Sequence, residues 1–314
     1  MSASRVTVKA PATTANLGPG FDVFGLALEK PSDKITVSAA SKGFEIKVRG
    51  LFADTIPTAP EKNTAGVVAN QILGEFGLES GLVVEIDKGI IPGVGLGSSA
   101  APAAAVAFAL NRLFHLNLDY KELIRFAAKG EFASAGSEHA DNVAAAICGN
   151  FVIVQSYKPL EIINLECPPD MEVCVAFPKI VTVSKTEKAR SIVSKMVPID
   201  KVVHNVGMAA ALASGFAMKD VDLIGRSMDD SVVEPARASL IPGYDRVRAN
   251  AFKAGACGVA VSGAGPAMMA VVNKNKADSK KVANAMMKGF ESVGLEADAF
   301  ATRPGVGVSL LEEK

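Results

Sequence analysis

The stretch Pro92-Gly93-Val94-Gly95-Leu96-Gly97-Ser98-Ser99-Ala100 decides the fold, because it joins two elements of opposite kind. Before it, the short alternating run from Leu82 to Asp87 predicts a β-strand. After it, the almost wholly apolar run from Ala100 to Leu110 predicts a buried helix. Glycines allow a backbone to approach a ligand closely, and a helix N-terminus offers free N–H groups and partial positive charge to a phosphate. The stretch therefore predicts a phosphate-binding loop; the alternative is a tight turn into a core helix.

The spacing within this stretch separates it from two better-known phosphate motifs. It is not a Walker A motif, because no Gly-Lys-Ser/Thr follows, and its glycines at positions 93, 95 and 97 do not fit G-x-G-x-x-G. The hydroxyls of Ser98 and Ser99, at the start of the helix, suit phosphate oxygens or a magnesium ion.

The stretch resembles the phosphate loop of the GHMP kinases, a superfamily that includes galactokinases, homoserine kinases and mevalonate kinases. Their pattern P-x-x-x-G-L-G-S-S-A is matched from Gly95 to Ala100, and Pro92 lies one residue closer to the first glycine than the pattern has it. The resemblance implies that residues 92–100 bind the phosphates of ATP and that Ser99 contributes to a Mg²⁺ site.

Bulk composition points to small-molecule chemistry. The 314 residues suggest roughly two domains. The 33 basic and 33 acidic side chains cancel, so net charge gives no support to a nucleic-acid or membrane partner. The four cysteines form no C-x-x-C pair, which favours free thiols in a reducing cytoplasm. The first residues lead into a predicted strand, and we expect no signal peptide.

A second motif lies near the start of the chain, from Pro11 to Asp22. Its two prolines and two glycines predict a loop, which on composition alone is a turn-rich connector. It is similar to the N-terminal substrate motif of homoserine kinases, P-A-T-x-A-N-x-G-x-G-F-D. The resemblance implies that Asn16 and Asp22 bind the polar end of an amino-acid substrate.

Two carboxylates, Glu131 and Asp141, lie ten residues apart with small residues between them. Taken alone, this pattern is more typical of a solvated loop and a helix cap than of a ligand site. In GHMP kinases a glutamate at this place helps to hold magnesium and an aspartate faces the acceptor hydroxyl. The resemblance implies these roles for Glu131 and Asp141, the latter as a general base or a positioning group. We interpret His139 as a structural histidine.

Thr186 and Arg190 are four residues apart, so on a helix they share one face and point to one ligand. The alternative is an exposed, charged first turn. Homoserine kinases have a similar T-x-x-A-R stretch, in which the arginine pairs with the substrate carboxylate, and the resemblance implies catalytic roles for both residues. Arg237, in a matching E-P-x-R stretch, is implied to bind the same carboxylate, although Glu234 offers it a local partner.

A second glycine-rich turn follows a predicted strand and consists of Ser262-Gly263-Ala264-Gly265-Pro266. It predicts a β-hairpin turn. It also resembles the third GHMP motif, which implies that Gly263, Ala264 and Gly265 lie against the ATP phosphates. We expect a last strand at about Glu296–Thr302 to close the chain.

Together these motifs are similar to GHMP kinases over nearly the full chain, in the expected order. The implied fold is α+β, with a ribosomal S5 domain 2-like domain at 1–160 and a ferredoxin-like domain at 161–314. The implied reaction is ATP-dependent phosphorylation of the L-homoserine side-chain hydroxyl with Mg²⁺, a step of threonine biosynthesis. The alternatives are a mevalonate or shikimate kinase, or an inactive nucleotide-binding sensor. A homodimer is a further expectation.

Overall fold

The computed structural model describes residues 4–135, 139–180 and 185–314, and the side chains at 132–135 and 185–187 lie outside that description. Its strands are β1 (Arg5–Asn16), β2 (Gly20–Ala40), β3 (Phe44–Gly50), β4 (Gly81–Lys88), β5 (Phe151–Tyr157), β6 (Leu160–Leu165), β7 (Met171–Pro178), β8 (Gly258–Val261), β9 (Met268–Asn273), β10 (Ala297–Thr302) and β11 (Ser309–Glu313). Its helices are α1 (Thr64–Glu75), α2 (Ala100–Leu113), α3 (Tyr120–Ala135), α4 (Asp141–Cys148), α5 (Lys185–Ser191), α6 (Ile199–Met218), α7 (Val221–Arg226), α8 (Val233–Ala238), α9 (Tyr244–Lys253) and α10 (Ser279–Glu291).

The first sheet has seven strands in the order β11-β1-β2-β4-β3, with β5 paired to β2 and β6 to β5. The prediction of a loop from Pro11 to Asp22 is wrong. Strand β1 continues to Asn16 and β2 begins at Gly20, so the motif is a hairpin with a three-residue turn. The small, buried residues of β1 pair with β2 through this segment, and that tertiary pairing overrides the local turn signals.

Helices α2 and α4 pack against this sheet, and α1 and α3 pack against α2. Eleven of the fourteen residues of α2 are buried, most of them alanines. Alanine combines high helix propensity with a small side chain, so α2 packs closely against β1, β2 and its neighbouring helices. The phosphate-loop stretch is thereby fixed between a central strand, β4, and a rigid helix.

The second sheet has four antiparallel strands in the order β10-β7-β9-β8. Taken in chain order these strands are separated as β-α-β-β-α-β, which gives the ferredoxin-like arrangement that was expected. Helices α9 and α10 cover this sheet, with Val247, Met286 and Phe290 fully buried between them and the strands.

The chain crosses between the two sheets more than once. Strand β6 begins at Leu160, at the predicted domain boundary, and it belongs to the first sheet. After β10 the chain returns and adds β11 antiparallel to β1, so the expectation that a strand at 296–302 closes the chain is wrong. The domain boundary between residues 160 and 161 stays a prediction.

Helix α6 is twenty residues long and only partly covered. The exposed fractions of Val203 and Val206 are 67% and 63%, and its sequence from Val202 to Met218 contains no Asp, Glu, Lys or Arg. No helix within the described ranges is long and apolar enough to cross a membrane.

Candidate active site

A cavity of about 930 Å³ opens beside the start of α2. Its wall includes the phosphate-loop stretch, the hairpin between β1 and β2, the second glycine-rich turn and two arginines, Arg190 and Arg237. The volume lies at the upper end of the range for small-molecule sites. The three sequence motifs, far apart along the chain, therefore meet at one place.

Glycines in the phosphate-loop stretch are required by packing as well as by backbone conformation. Gly95 and Gly97 have φ values of +95° and +62°. A Cβ on Gly95 would lie 2.2 Å from the carbonyl oxygen of Ser262, and one on Gly97 would lie 1.9 Å from Oγ1 of Thr13. The loop is thus held against β1 and the second glycine-rich turn at a distance that side chains do not allow.

Hydrogen bonds hold the second glycine-rich turn against the phosphate-loop stretch. The Ser262 hydroxyl lies 2.6 Å from the Gly95 carbonyl oxygen and 2.8 Å from Oγ1 of Thr14. The N–H of Ala267 donates to the Val94 carbonyl at 2.9 Å. These contacts join β1, the loop and the strand pair β8–β9 into one wall of the cavity.

Glu131, on α3, faces the first turn of α2. It is 7% exposed, and the Ser99 hydroxyl donates to its Oε2 at 3.0 Å. Burial raises the pKa of Glu131 to about 7. The hydroxyl and carboxylate together form an oxygen donor set of the kind that Mg²⁺ prefers. No cluster of three His, Cys, Asp or Glu that would hold a metal by itself occurs in the described part of the chain.

Asp141 is the first residue of α4 and is 3% exposed. Burial raises its pKa to about 6, and the nearby charge of Asp22 acts in the same direction. The N–H of Asn142 donates to Asp141 Oδ1 at 2.7 Å, while the Asn142 side chain accepts from the Thr13 hydroxyl at 2.7 Å. The carboxylate is therefore fixed in place on the cavity wall.

Asp22 and Arg190 form an ion pair across the cavity, with Nη2 of Arg190 at 2.8 and 3.0 Å from the two carboxylate oxygens. Nε2 of His139 lies 2.9 Å from the same Nη2, and the Tyr157 hydroxyl donates to the Asp22 backbone carbonyl at 2.7 Å. His139, interpreted from the sequence as structural, therefore belongs to this charged cluster.

Arg237 is buried, with 4% exposure. Its Nε donates to the carbonyl of Ala189 at 3.1 Å, and its Nη1 donates to that of Gly263 at 2.9 Å. The ring of Phe21 lies 5.0 Å from the Arg237 guanidinium and 5.2 Å from that of Arg190, which brings the two cations to one aromatic side chain.

The local partner suggested for Arg237 is not used in this way. Glu234 instead accepts from the Tyr244 hydroxyl at 2.5 Å and from the N–H of Val261 at 3.0 Å. Arg237 keeps its orientation through backbone carbonyls, so no neighbouring carboxylate neutralises it through a described ion pair.

The predicted site residues line the cavity except Val94 and Ala100, which are buried beside it. Thr186 is a further exception, because its side chain lies outside the described residues. Asn16 joins through its side chain, which donates to the Gly263 carbonyl at 2.9 Å. Sequence reasoning missed Thr13, Phe21, Lys88 and Asn142. The position of Asn142 directly after Asp141, and of Phe21 directly before Asp22, was the only available signal for these two.

Comparisons with known proteins agree over nearly the whole chain. Residues 63–150 match the family model described as GHMP kinases N terminal domain, and residues 208–292 match the model described as GHMP kinases C terminal. A homoserine kinase from Halorubrum lacusprofundi is 45% identical over 312 residues, which cover 98% of this chain and 100% of that protein. A homoserine kinase from Methanococcus vannielii is 43% identical over 98% of this chain and 99% of its own length.

Solved structures give the same result. The crystal structure of homoserine kinase from Cytophaga hutchinsonii has a TM-score of 0.90 at 36% identity, with 98% of both chains covered. L. major mevalonate kinase in complex with R-mevalonate has a TM-score of 0.67 at 14% identity, covering 98% of this chain and 97% of that one, which shows a shared fold alone.

Proposed function

The chain belongs to the GHMP kinase family, and on that premise we propose that it is a homoserine kinase. It transfers the γ-phosphoryl group of ATP to the side-chain hydroxyl of L-homoserine and yields O-phospho-L-homoserine. The observation that carries this proposal is the convergence of Asp22, Arg190 and Arg237 in the cavity that the phosphate-loop stretch also lines. One set of groups suits a zwitterionic amino acid, and the other suits a nucleotide.

The nucleotide side is formed by the two glycine-rich segments. Residues 92–100 and Gly263, Ala264 and Gly265 present backbone to the triphosphate, and the start of α2 contributes positive potential. Phosphoryl transfer needs alignment and charge neutralisation more than covalent help from the protein. A rigid loop between β4 and α2 provides that alignment.

Magnesium would be held by the Ser99 hydroxyl and the Glu131 carboxylate together with phosphate oxygens of the nucleotide. Mg²⁺ typically takes one or two carboxylates from the protein and completes its shell with phosphates and water. When bound, the ion neutralises charge that develops on the transferring phosphoryl group.

The amino-acid side is formed by charges of both signs. The substrate carboxylate pairs with Arg190 and Arg237, because a guanidinium suits a carboxylate through paired hydrogen bonds. The buried Nε of Arg190 has no hydrogen-bond acceptor among the residues that the structure describes, so it is available for that role. Asp22 and Asn16 bind near the substrate ammonium. A role for Thr186 at the same carboxylate stays a prediction.

Asp141 faces the acceptor hydroxyl in this arrangement. Its raised pKa places proton uptake near the working pH of a cell, which suits a group that accepts the hydroxyl proton or orients the hydroxyl as a hydrogen-bond acceptor. Positioning is the role that we favour, because a loose phosphoryl-transfer transition state requires little help from a base.

Two arginines alone would also suit mevalonate or shikimate, which are carboxylic acids. Asp22 favours an amino acid, because its negative charge pairs with the ammonium group that an amino acid carries and that mevalonate and shikimate lack. A coupled assay of ADP release with homoserine, mevalonate and shikimate distinguishes these acceptors. Turnover of mevalonate or shikimate in preference to homoserine would contradict the proposal, and nucleotide binding without turnover of any acceptor would indicate an inactive sensor.

Arg190→Leu and Arg237→Leu test the carboxylate site directly. Each should raise KM for homoserine strongly while KM for ATP stays near the wild-type value. Loss of one partner of a desolvated charge pair costs about 2–5 kcal/mol, whereas Arg125→Leu, a control at an exposed ion pair with Glu75, should cost less than about 1 kcal/mol. Equal effects on all three variants would mean that the two arginines are structural.

We also propose that the protein is a homodimer that pairs through α6. An uncharged, exposed helix face is self-complementary, as a two-fold symmetric interface requires. Light scattering after gel filtration should show a dimer for the wild type and a monomer for Val203→Glu, with Val293→Glu, an exposed valine outside α6, as the control. A monomeric wild type would refute this. The cytoplasm is the proposed location, because all four cysteines are free thiols.

A further inference from the structure

The carboxylate of Asp33 and the ammonium of Lys88 form a buried ion pair beneath the phosphate-loop stretch. Their side chains are 0% and 2% exposed, and they lie on β2 and at the last residue of β4, two strands that pair with each other. Removing two charges from water is costly, and their attraction offsets that cost only when other hydrogen bonds satisfy the remaining donors and acceptors. Where those other bonds go indicates what the pair does.

The other hydrogen bonds of Asp33 and Lys88 go to the two ends of the phosphate-loop stretch. Asp33 Oδ1 accepts from the N–H groups of Gly89 and Ile90, both at 2.9 Å, where the chain leaves β4. Lys88 Nζ donates to the carbonyl of Ser98 at 2.8 Å, two residues before the first residue of α2. The Ser98 hydroxyl donates to the Ile90 carbonyl at 3.1 Å. The ion pair therefore connects the start of the loop to the point where the helix begins.

Lys88 also borders the cavity, so a direct contact with phosphate is the rival interpretation. A lysine that binds phosphate acts as a point charge with its ammonium turned to the ligand. Here the ammonium is turned to Asp33 and the Ser98 carbonyl, and the side chain is almost fully buried. These contacts favour an indirect role.

We propose that Asp33 and Lys88 are positioning residues that hold the phosphate loop in its nucleotide-binding shape. They act through the Ser98 carbonyl and the Gly89 and Ile90 amides, without touching the nucleotide. The proposal rests on the kinase function proposed above, because the ligand is the nucleotide. It requires that loss of either charge weakens nucleotide binding and leaves homoserine binding unchanged.

The test is the dissociation constant of ADP with magnesium, measured by calorimetry on Asp33→Asn, Lys88→Met and the variant that combines both. We expect each single change to weaken ADP binding by about 10- to 100-fold, the range typical of groups that orient a binding site from one layer behind it. The combined variant should be no weaker than the single ones, because both changes remove one shared interaction. Lys88→Arg should recover part of the affinity, and KM for homoserine should stay at the wild-type value.

Thr36→Val is the matched control. Thr36 is buried on the same strand and shares a 3.0 Å hydrogen bond with Thr7, so its loss lowers the melting temperature without touching the loop. ADP binding in this control should equal that of the wild type. If a single charge change prevents folding, the double variant Asp33→Leu with Lys88→Met serves in its place. It replaces both ions by apolar groups and leaves no unpaired charge buried.

The outcomes separate cleanly. Wild-type ADP affinity in the folded Leu/Met variant would mean that the pair is only structural and would overturn the proposal. Weak binding in Lys88→Met beside normal binding in Asp33→Asn would overturn it in favour of a direct phosphate contact. A wild-type protein that binds no ADP would instead refute the proposed function, and this inference with it.

Discussion

The buried carboxylate of Glu131 accepts a hydrogen bond from the Ser99 hydroxyl. Burial raises the pKa of Glu131 to about 7, so metal binding by this carboxylate should depend on pH. A metal ion competes with protons for a carboxylate, so we expect the magnesium concentration needed for half-maximal rate to rise as the pH falls below about 7. Glu131→Gln should raise that concentration by about 10- to 100-fold and remove its pH dependence.

Steady-state rates at a series of magnesium concentrations and pH values measure both effects. Glu75→Gln, at an exposed glutamate on α1, is the control and should behave as the wild type. If Glu131→Gln needs no more magnesium than the wild type, Glu131 is not a ligand of the ion.

Asp141 should reduce the stability of the substrate-free protein. The unfolded chain ionises this group near its ordinary pKa of 3.8, whereas burial raises the folded value to about 6. The folded state therefore binds more protons between these values, and stability falls as the pH rises through that window. Above about pH 6 the full penalty, about 3 kcal/mol at most, is present.

Asp141→Asn removes this penalty and keeps an oxygen for the N–H of Asn142. We expect a higher melting temperature than the wild type at about pH 8 and a smaller gap at about pH 4.5. The turnover number should fall by about 100-fold, the cost of losing the group that positions the acceptor hydroxyl. Thermal melts at the two pH values, with rates at saturating homoserine, check this. A variant that melts below the wild type at high pH would show that the carboxylate is stabilising instead.

Local sequence was informative for residues whose chemistry is carried by a short motif. The glycines, Ser99 and Asp22 fall into this group. Lys88 was not foreseen, because a lysine at the end of an alternating strand has the same pattern as an exposed one. Its burial depends on the pairing of β2 with β4, where Lys34 lies opposite Asp87, and no local pattern encodes that register.

At the level of elements, the phosphate loop depends on one close approach between two glycine-rich segments. Gly95 and Gly93 both have positive φ, of +95° and +72°, so alanine carries a similar backbone cost at each, about 1 kcal/mol. Only at Gly95 would the new Cβ collide with the Ser262 carbonyl, while nothing lies within 4 Å of a Cβ on Gly93. This pair of positions separates backbone strain from lost packing.

Gly95→Ala should therefore lower stability by about 2 kcal/mol or more beyond Gly93→Ala, and it should also weaken ADP binding. Urea unfolding and ADP calorimetry on the two variants give the comparison. Equal losses at both positions would mean that the second glycine-rich turn yields easily and does not shape the loop.

The hairpin of β1 and β2 shows why element boundaries were partly missed. Prolines and glycines between Pro11 and Asp22 indicate a loop, yet Thr13, Thr14 and Ala15 pair with β2. Fully buried small residues favour strand pairing here. The second glycine-rich turn was easier, since its flanking strands β8 and β9 are local and join directly.

For the whole molecule, the return of the chain to the first sheet is a stability determinant. Strand β11 pairs with β1, whose Val6 and Val8 are fully buried, and Arg112 binds Glu313 at 2.7 Å. A variant that ends at residue 308 loses this pairing. We expect urea unfolding to show that the free energy of unfolding falls by several kcal/mol, since an edge strand and its backbone hydrogen bonds disappear. The kinase activity, measured by the coupled assay of ADP release, should fall as well.

Arg112→Gln is the control, because it removes only the surface ion pair and should cost about 1 kcal/mol or less. If the shortened variant unfolds at the same urea concentration as the wild type, β11 contributes little and the first sheet is complete without it.

The place of β11 at the end of the chain also affects folding during translation. Its partner β1 begins at Arg5, and β11 begins at Ser309, so nearly the whole chain is translated before the two can meet. At ordinary rates of translation the delay is on the order of tens of seconds. During that interval the growing chain presents the outer edge of β1 as an unpaired template with which other strands can pair.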